Sequence, residues 1–173
     1  MSSVLKLRPV DPDDEPFLRS LRAQLDSERL GLQWLEQGSD ELVKSILDLQ
    51  FHAHNQHYAK VKSGWETRDN IIELDDRPIG RFIVTGDKHE IHLCDIVIDR
   101  QYRGRGIGIN IIQNIKSECQ QSNRPLRLHA EKNSPILQFY IKQEFRIIEE
   151  RDSHYYMEWI PNPERQPIYS FAN

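Results

Sequence analysis

A chain of 173 residues, 38% hydrophobic and 29% charged, has the size and balance of one globular domain, and it holds no apolar run long enough to span a bilayer. Its formal charge of −4 argues against nucleic-acid binding, which needs a basic face to neutralise phosphates, and only weakly favours a cationic partner. Cys94 and Cys119 lie far apart with no CxxC or Cys/His spacing around them, so neither a disulfide framework nor a metal site is expected.

The opening MSSVLKLRPVDPDD lacks the basic start, apolar stretch and small-residue cleavage site of a secretory signal, so a cytoplasmic location is expected. Val4, Leu5, Leu7 and Val10 interleave with Lys6 and Arg8, which predicts a first strand stopping at the prolines Pro9 and Pro12. Asp13 or Asp14 can then cap a helix carrying Phe17, Leu18, Leu21 and Leu25. Ser39 or Asp40 can start a second helix through Leu42, Val43, Ile46, Leu47 and Leu49. From about Asn70 the period changes. Ile71 and Ile72 lead to a turn at Asp75, Asp76, Arg77 and Pro78, then a strand from Ile79 to Thr85, a second turn, and a strand from Glu90 to Ile98.

Past Gly104, Gly106 and Gly108, the residues Ile111, Ile112, Ile115 and Cys119 form one helical stripe ending near Ser122 and Asn123. Leu126 to Ala130 reads as a strand. Ser134, with Pro135 at the first helical position, can cap a helix carrying Ile136, Leu137, Phe139 and Tyr140 as far as Lys142. Phe145 to Glu149 and His154 to Trp159 read as closing strands. The body is therefore expected to be a single domain over residues 1–160, followed by a proline-rich, aperiodic tail over 161–173.

The segment LCDIVIDRQYRGRGIGINIIQNI runs a strand into a glycine-dense turn that opens directly into an amphipathic helix. Glycines let backbone approach a phosphate closely, and the free N–H groups of a first helical turn carry the positive end of the helix dipole. A Walker loop is excluded because GxxxxGK[ST] is absent. A dinucleotide fingerprint would place its glycines early in a parallel βαβ unit, whereas an antiparallel meander comes first here.

These residues resemble the GNAT superfamily. Arg103, Gly106 and Gly108 occupy its RxxGxG pattern, and EKNSPILQFYIKQEFRII is similar to its later segment, with Asn133, Tyr140 and Phe145 at the matching places. The resemblance covers roughly residues 4 to 160 and keeps motif order. One departure is Glu144, where the family usually has glycine. The resemblance implies an α/β GNAT fold: a mixed, mostly antiparallel central sheet splayed at its middle, with helices on both faces.

The resemblance also implies an N-acyltransferase that carries an acetyl group from acetyl-CoA, a co-substrate, to an amine by direct attack. A non-catalytic acyl-CoA-binding module of the same fold is the alternative. The backbone of Arg103, Gly104, Arg105, Gly106, Ile107 and Gly108 would hold the pyrophosphate, and Ile96, Val97 and Ile98 would run along the pantetheine. Asn133 and Tyr140 take the family's later positions, Tyr140 as the acid that protonates the departing thiolate. With ordinary pKa values of about 10 and about 8.5, that transfer is uphill by roughly 2 kcal/mol and needs a short, aligned contact.

For the base, Glu90 stands thirteen residues before Arg103, where the histone-acetylating branch carries a glutamate. Asp95, a carboxylate set among Leu93, Cys94, Ile96 and Val97, competes with it. A lysine-like acceptor is neutral in only about one molecule in 2,500 at pH 7, an α-amine in about one in seven, so the base matters more for the first. His52, His54 and His57 invite a metal reading, yet on a helix only the last two share a side, and no metal is expected. The histidines, Tyr58 or Trp65 could line the acceptor site. No nucleic acid or membrane partner is expected; a homodimer is common among such relatives, and the tail could serve it.

Overall fold

The computed structural model describes residues 4–30, 45, 49, 51 and 65–161. Among these, the chain order is β1 (Leu5–Pro9), a 3-10 turn (Pro12–Asp14), α1 (Glu15–Leu30), β2 (Glu66–Leu74), β3 (Arg77–Gly86), β4 (Ile91–Ile98) and a second 3-10 turn (Arg100–Tyr102). There follow α2 (Ile107–Ser122), β5 (Leu126–Glu131), α3 (Ile136–Lys142), β6 (Arg146–Glu150) and β7 (His154–Trp159). Of the second helix expected after Ser39, only residues 45 and 49 are described, both helical, and Leu49 is exposed rather than on a buried stripe. The histidines 52, 54 and 57, Tyr58 and the tail beyond Pro161 lie outside the described residues. No helix among the described residues is long and apolar enough to cross a membrane.

The strands hydrogen-bond in the order β1-β2-β3-β4-β5-β7-β6, a mixed and mostly antiparallel sheet. Its parallel pair is β4 with β5, as expected where a whole helix, α2, provides the crossover. Pairing matches Ile91, His92 and Leu93 to Leu126, Arg127 and Leu128; beyond these positions β4 continues to Ile98 and β5 to Glu131. The chain clusters into two compact units, one built from residues up to Ile83 together with Asp95–Arg105, the other from Val84–Cys94 together with Gly106 onward.

In the first unit, Leu18, Phe51 and Ile71 form a buried cluster on which Val10 and Phe17 pack. The helix cap differs from the expected one. Asp11, not Asp13 or Asp14, accepts from the Asp13 N–H, while the Asp14 carboxylate returns to the Asp11 N–H and closes a capping box. Asp14 is buried because Arg8 reaches it with two 2.7 Å bonds and donates a third, also 2.7 Å, to Glu73. That is why the alternation in β1 fails at Arg8: paired charges turn inward while Leu7 is left exposed. Gly80 in β3 sits where a Cβ would come within 2.4 Å of the Val97 carbonyl, so β3 and the end of β4 approach with no room for a side chain.

In the second unit, Ile107, Ile111, Ile112, Ile115 and Cys119 bury one stripe of α2, as their spacing predicts. Each fully buried isoleucine contributes roughly 1.5–3 kcal/mol. The helix stops at Asn123, left-handed with φ 50, where the Arg124 N–H returns to the Cys119 carbonyl at 3.0 Å. Leu128 and Met157 face each other across β5 and β7, both buried.

Candidate functional site

The turn that joins β4 to α2 is built from backbone. Gly104 and Gly106 hold φ of 75 and 77, the left-handed region that side chains rarely adopt, and nothing lies within 4 Å of where a Cβ would stand at either. Glycine is therefore required here for conformation, with open space in front of it. Gly106 is the residue before the first turn of α2 and has no side chain to cap it, so the N–H groups of that turn have no acceptor from their own cap. Open backbone donors at the start of a sixteen-residue helix fit an anionic diphosphate.

The arginines of this turn are held elsewhere. Arg103 donates from Nε to the Ile98 carbonyl at 2.8 Å and from Nη1 to Glu28 at 2.7 Å. Arg100 adds a 3.3 Å pair to the same Glu28, and its N–H donates to the Gln24 side chain at 2.9 Å. The last part of α1 thus braces the segment before the glycines. Arg105 donates to the Gln101 carbonyl at 3.0 Å with its guanidinium over the Tyr102 ring.

Asp95, Ile96, Val97 and Ile98 belong to the first unit. Burial alternates along β4: Leu93 and Val97 are buried, while Cys94, Ile96 and Ile98 are partly exposed. Asp95 lies on the Leu93 and Val97 side, and burial pushes its carboxyl up to about 6 against the opposing charges of Arg22 and Arg81. Those arginines are themselves paired, Arg22 with Asp26 at 2.8 Å and Arg81 with Asp69 at 2.6 Å.

Glu90 belongs to the second unit and immediately precedes β4. Its carboxylate takes a short ion pair from Arg127, which also donates to the buried Glu158 at 2.7 Å. Beside this triad, the rings of His92, His129 and Tyr156 gather from three neighbouring strands. His129 stacks on Tyr156 at 4.6 Å, and His92 lies 5.2 and 6.1 Å from the two. Burial, then the Glu90 charge, raises the Tyr156 hydroxyl above its usual pKa.

Asn133 is exposed two residues before α3 begins its cap. The Ser134 hydroxyl accepts from the Ile136 N–H at 3.4 Å, but the cap lies one residue later than expected: Pro135, in helical backbone, is the residue before α3, which begins at Ile136. Tyr140 is buried on α3, edge-on to Phe139 at 5.4 Å and to Phe145 at 5.6 Å.

Sequence reading missed Glu28 and Gln24, which brace the turn from α1, and Arg127, Glu158, His129 and Tyr156, which surround Glu90. For Arg127 a signal existed: a cation alternating with Leu126 and Leu128 must leave the apolar face. Its partner Glu90 is 37 positions away, so only the β4–β5 pairing reveals it.

The chain matches the family model described as "Acetyltransferase (GNAT) domain" over residues 39–161. Among solved structures it is similar to the PaiA N-acetyltransferase from Thermoplasma acidophilum in complex with coenzyme A. That match has a TM-score of 0.65 and 13% identity, and covers 91% of this chain and 99% of the other. An acetyltransferase from Thermus thermophilus matches at TM-score 0.62 and 18% identity, covering 91% and 97%. FdhC, a nucleotide-linked sugar GNAT, matches at 0.60 and 16%, covering 90% and 86%. No curated protein matches the chain.

Proposed function

The chain belongs to the GNAT acetyltransferase family, and from that membership we propose that it carries an acetyl group from acetyl-CoA to an amine by direct attack of the neutral amine on the thioester. The observation that carries this reading is the pair of left-handed glycines, Gly104 and Gly106, opening α2 with free space before them. In this role the amides from Arg103 to Gly108 receive the pyrophosphate. The Arg103 and Arg105 side chains, engaged by Glu28, Ile98 and Gln101, act on the shape of the turn. The backbone of Ile96, Val97 and Ile98 runs along the pantetheine, and Asn133 stands before the helix that bears the acid.

Tyr140 protonates the departing thiolate. Its burial disfavours the phenolate, so the transfer needs a short, aligned contact with the thiolate. Glu90 is the favoured base. Arg127 holds its carboxylate in place, and the half-exposed rings of His92 and Tyr156 lie on its side of the sheet. Asp95, whose charged neighbours Arg22, Arg81 and Asp69 come from α1, β3 and β2, acts instead in the packing of the first unit. The acceptor is a small or peptide amine; the solved neighbour that acts on a nucleotide-linked sugar illustrates how widely acceptors differ on this fold.

Calorimetric titration with acetyl-CoA tests the reading, followed by thiol release over a panel of spermidine, a lysine peptide and a peptide N-terminus. Micromolar binding with thiol release supports it. Binding without release across the panel assigns a non-catalytic acyl-CoA-binding module, and absence of binding overturns both.

A further inference from the structure

Lysine is seldom buried, because its ammonium gives up hydration that partners must replace. Lys116 lies on the inner stripe of α2, 4% exposed, between Ile115 and Cys119. Its Nζ donates to the backbone carbonyl of Gln143, the residue that ends α3. The Trp159 and Phe145 rings stand 5.0 and 5.5 Å from the ammonium, and the Glu144 carboxylate is 3.9 Å away on a largely exposed side chain. Burial lowers the Lys116 pKa, with Glu144 opposing. A methionine would fill the same volume at lower desolvation cost, so the ammonium's distinct contribution is its bond to the end of α3.

That end carries strain. Glu144 is left-handed, with φ 63, at the position where helices favour glycine. The turn it makes hangs on Tyr140: the Gln143 N–H reaches the Tyr140 carbonyl at 3.0 Å and the Phe145 N–H reaches it at 3.1 Å. The Phe145 ring then meets the Tyr140 ring edge-on. Lys116 and Tyr140 are thus joined through one turn of backbone, the ammonium satisfying an orphan helix carbonyl on one side and the aromatic ring packed on the other.

We infer that Lys116 is a positioning residue for Tyr140, clamping a turn that lacks the glycine which would adopt it without strain. The inference rests on the reading of Tyr140 as the acid.

Two measurements test it. Protein labelled with 3-fluorotyrosine, its Tyr140 resonance assigned through Y140F, is compared by fluorine NMR for wild type, K116M and K116R. The resonance shifts or broadens in K116M and stays in place in K116R, while thermal melting checks that each variant is folded. Thiol release with acetyl-CoA and the fastest amine of the panel then shows kcat reduced about tenfold in K116M, with KM for acetyl-CoA within about twofold. E144G restores part of that loss, and K116M adds nothing in the Y140F background. An unmoved resonance, an undiminished kcat, or an equal loss in both backgrounds overturns the inference and leaves the acid role standing. A Y140F enzyme as fast as wild type overturns the acid role, and the inference with it.

Discussion

The glycine turn before α2 and the polar face around Glu90 perform different kinds of work. In the turn, side chains withdraw: Arg103 folds back onto Ile98 and Glu28, Arg105 onto Gln101, and what remains in front is backbone. Around Glu90 the side chains do everything, with Arg127 held between two carboxylates and three rings stacked from β4, β5 and β7. Backbone sites depend on φ and are damaged by side chains that resist it, β-branched ones most of all. Side-chain sites depend on charge balance and are damaged by unpairing.

The comparison breaks most visibly if glycine proves dispensable. Gly104→Val with Gly106→Val forces two β-branched residues into left-handed backbone, which costs about 1–2 kcal/mol each, so acetyl-CoA affinity is expected to fall about 100-fold by calorimetry. Arg103→Ala, whose cation already serves Glu28, is expected to weaken binding less than about fivefold; a loss as large as that of the double glycine variant would mean that the side chains hold the phosphate after all.

Tyr140→Phe removes a proton donor while leaving the ring packed on Phe139 and Phe145. Steady-state thiol release should show kcat reduced about 100-fold with KM for acetyl-CoA nearly unchanged. A matched loss in KM would assign Tyr140 to binding instead.

Arg127→Met leaves Glu90 and the buried Glu158 without their shared cation. Urea unfolding at pH 7.5 should show a loss of about 2–3 kcal/mol. A loss as large in Arg127→Lys, which keeps the charge, would mean that packing, not charge, makes the face.

Asp95 offers an effect of the opposite sign. Burial pushes its carboxyl to about 6 from an ordinary 3.8, so the folded state prefers the protonated form. Its contribution to stability is present below about 3.8 and is lost as pH rises through about 6. Asp95→Asn should therefore stabilise the fold by about 3 kcal/mol at pH 8 and leave it unchanged near pH 4, read by urea unfolding. Destabilisation at pH 8 would show that the Arg22 and Arg81 charges need the carboxylate more than burial penalises it.

Periodicity placed most described elements within a few residues, because α2 and β5 each bury one regular stripe. It failed where charges override the pattern. Arg8 turns inward in β1 because Asp14 and Glu73 meet it there, and the first cap moves to Asp11 because Asp14 is already engaged by Arg8. β2 begins at Glu66 rather than near Asn70, since Asp69 is retained in the strand by its pair with Arg81 on β3.

What the amino-acid sequence determined alone is whatever depends on neighbours along the chain: the helical and strand periods, the glycines that admit positive φ, and the order of motifs that marks a GNAT chain. Tertiary structure decided which charges meet. Glu28 with Arg103, Glu90 with Arg127, and Lys116 with the Gln143 carbonyl are 75, 37 and 27 positions apart, and no local propensity specifies such pairs. They form because folding removes water from both partners at once, leaving each the other's best available replacement for the hydration it lost.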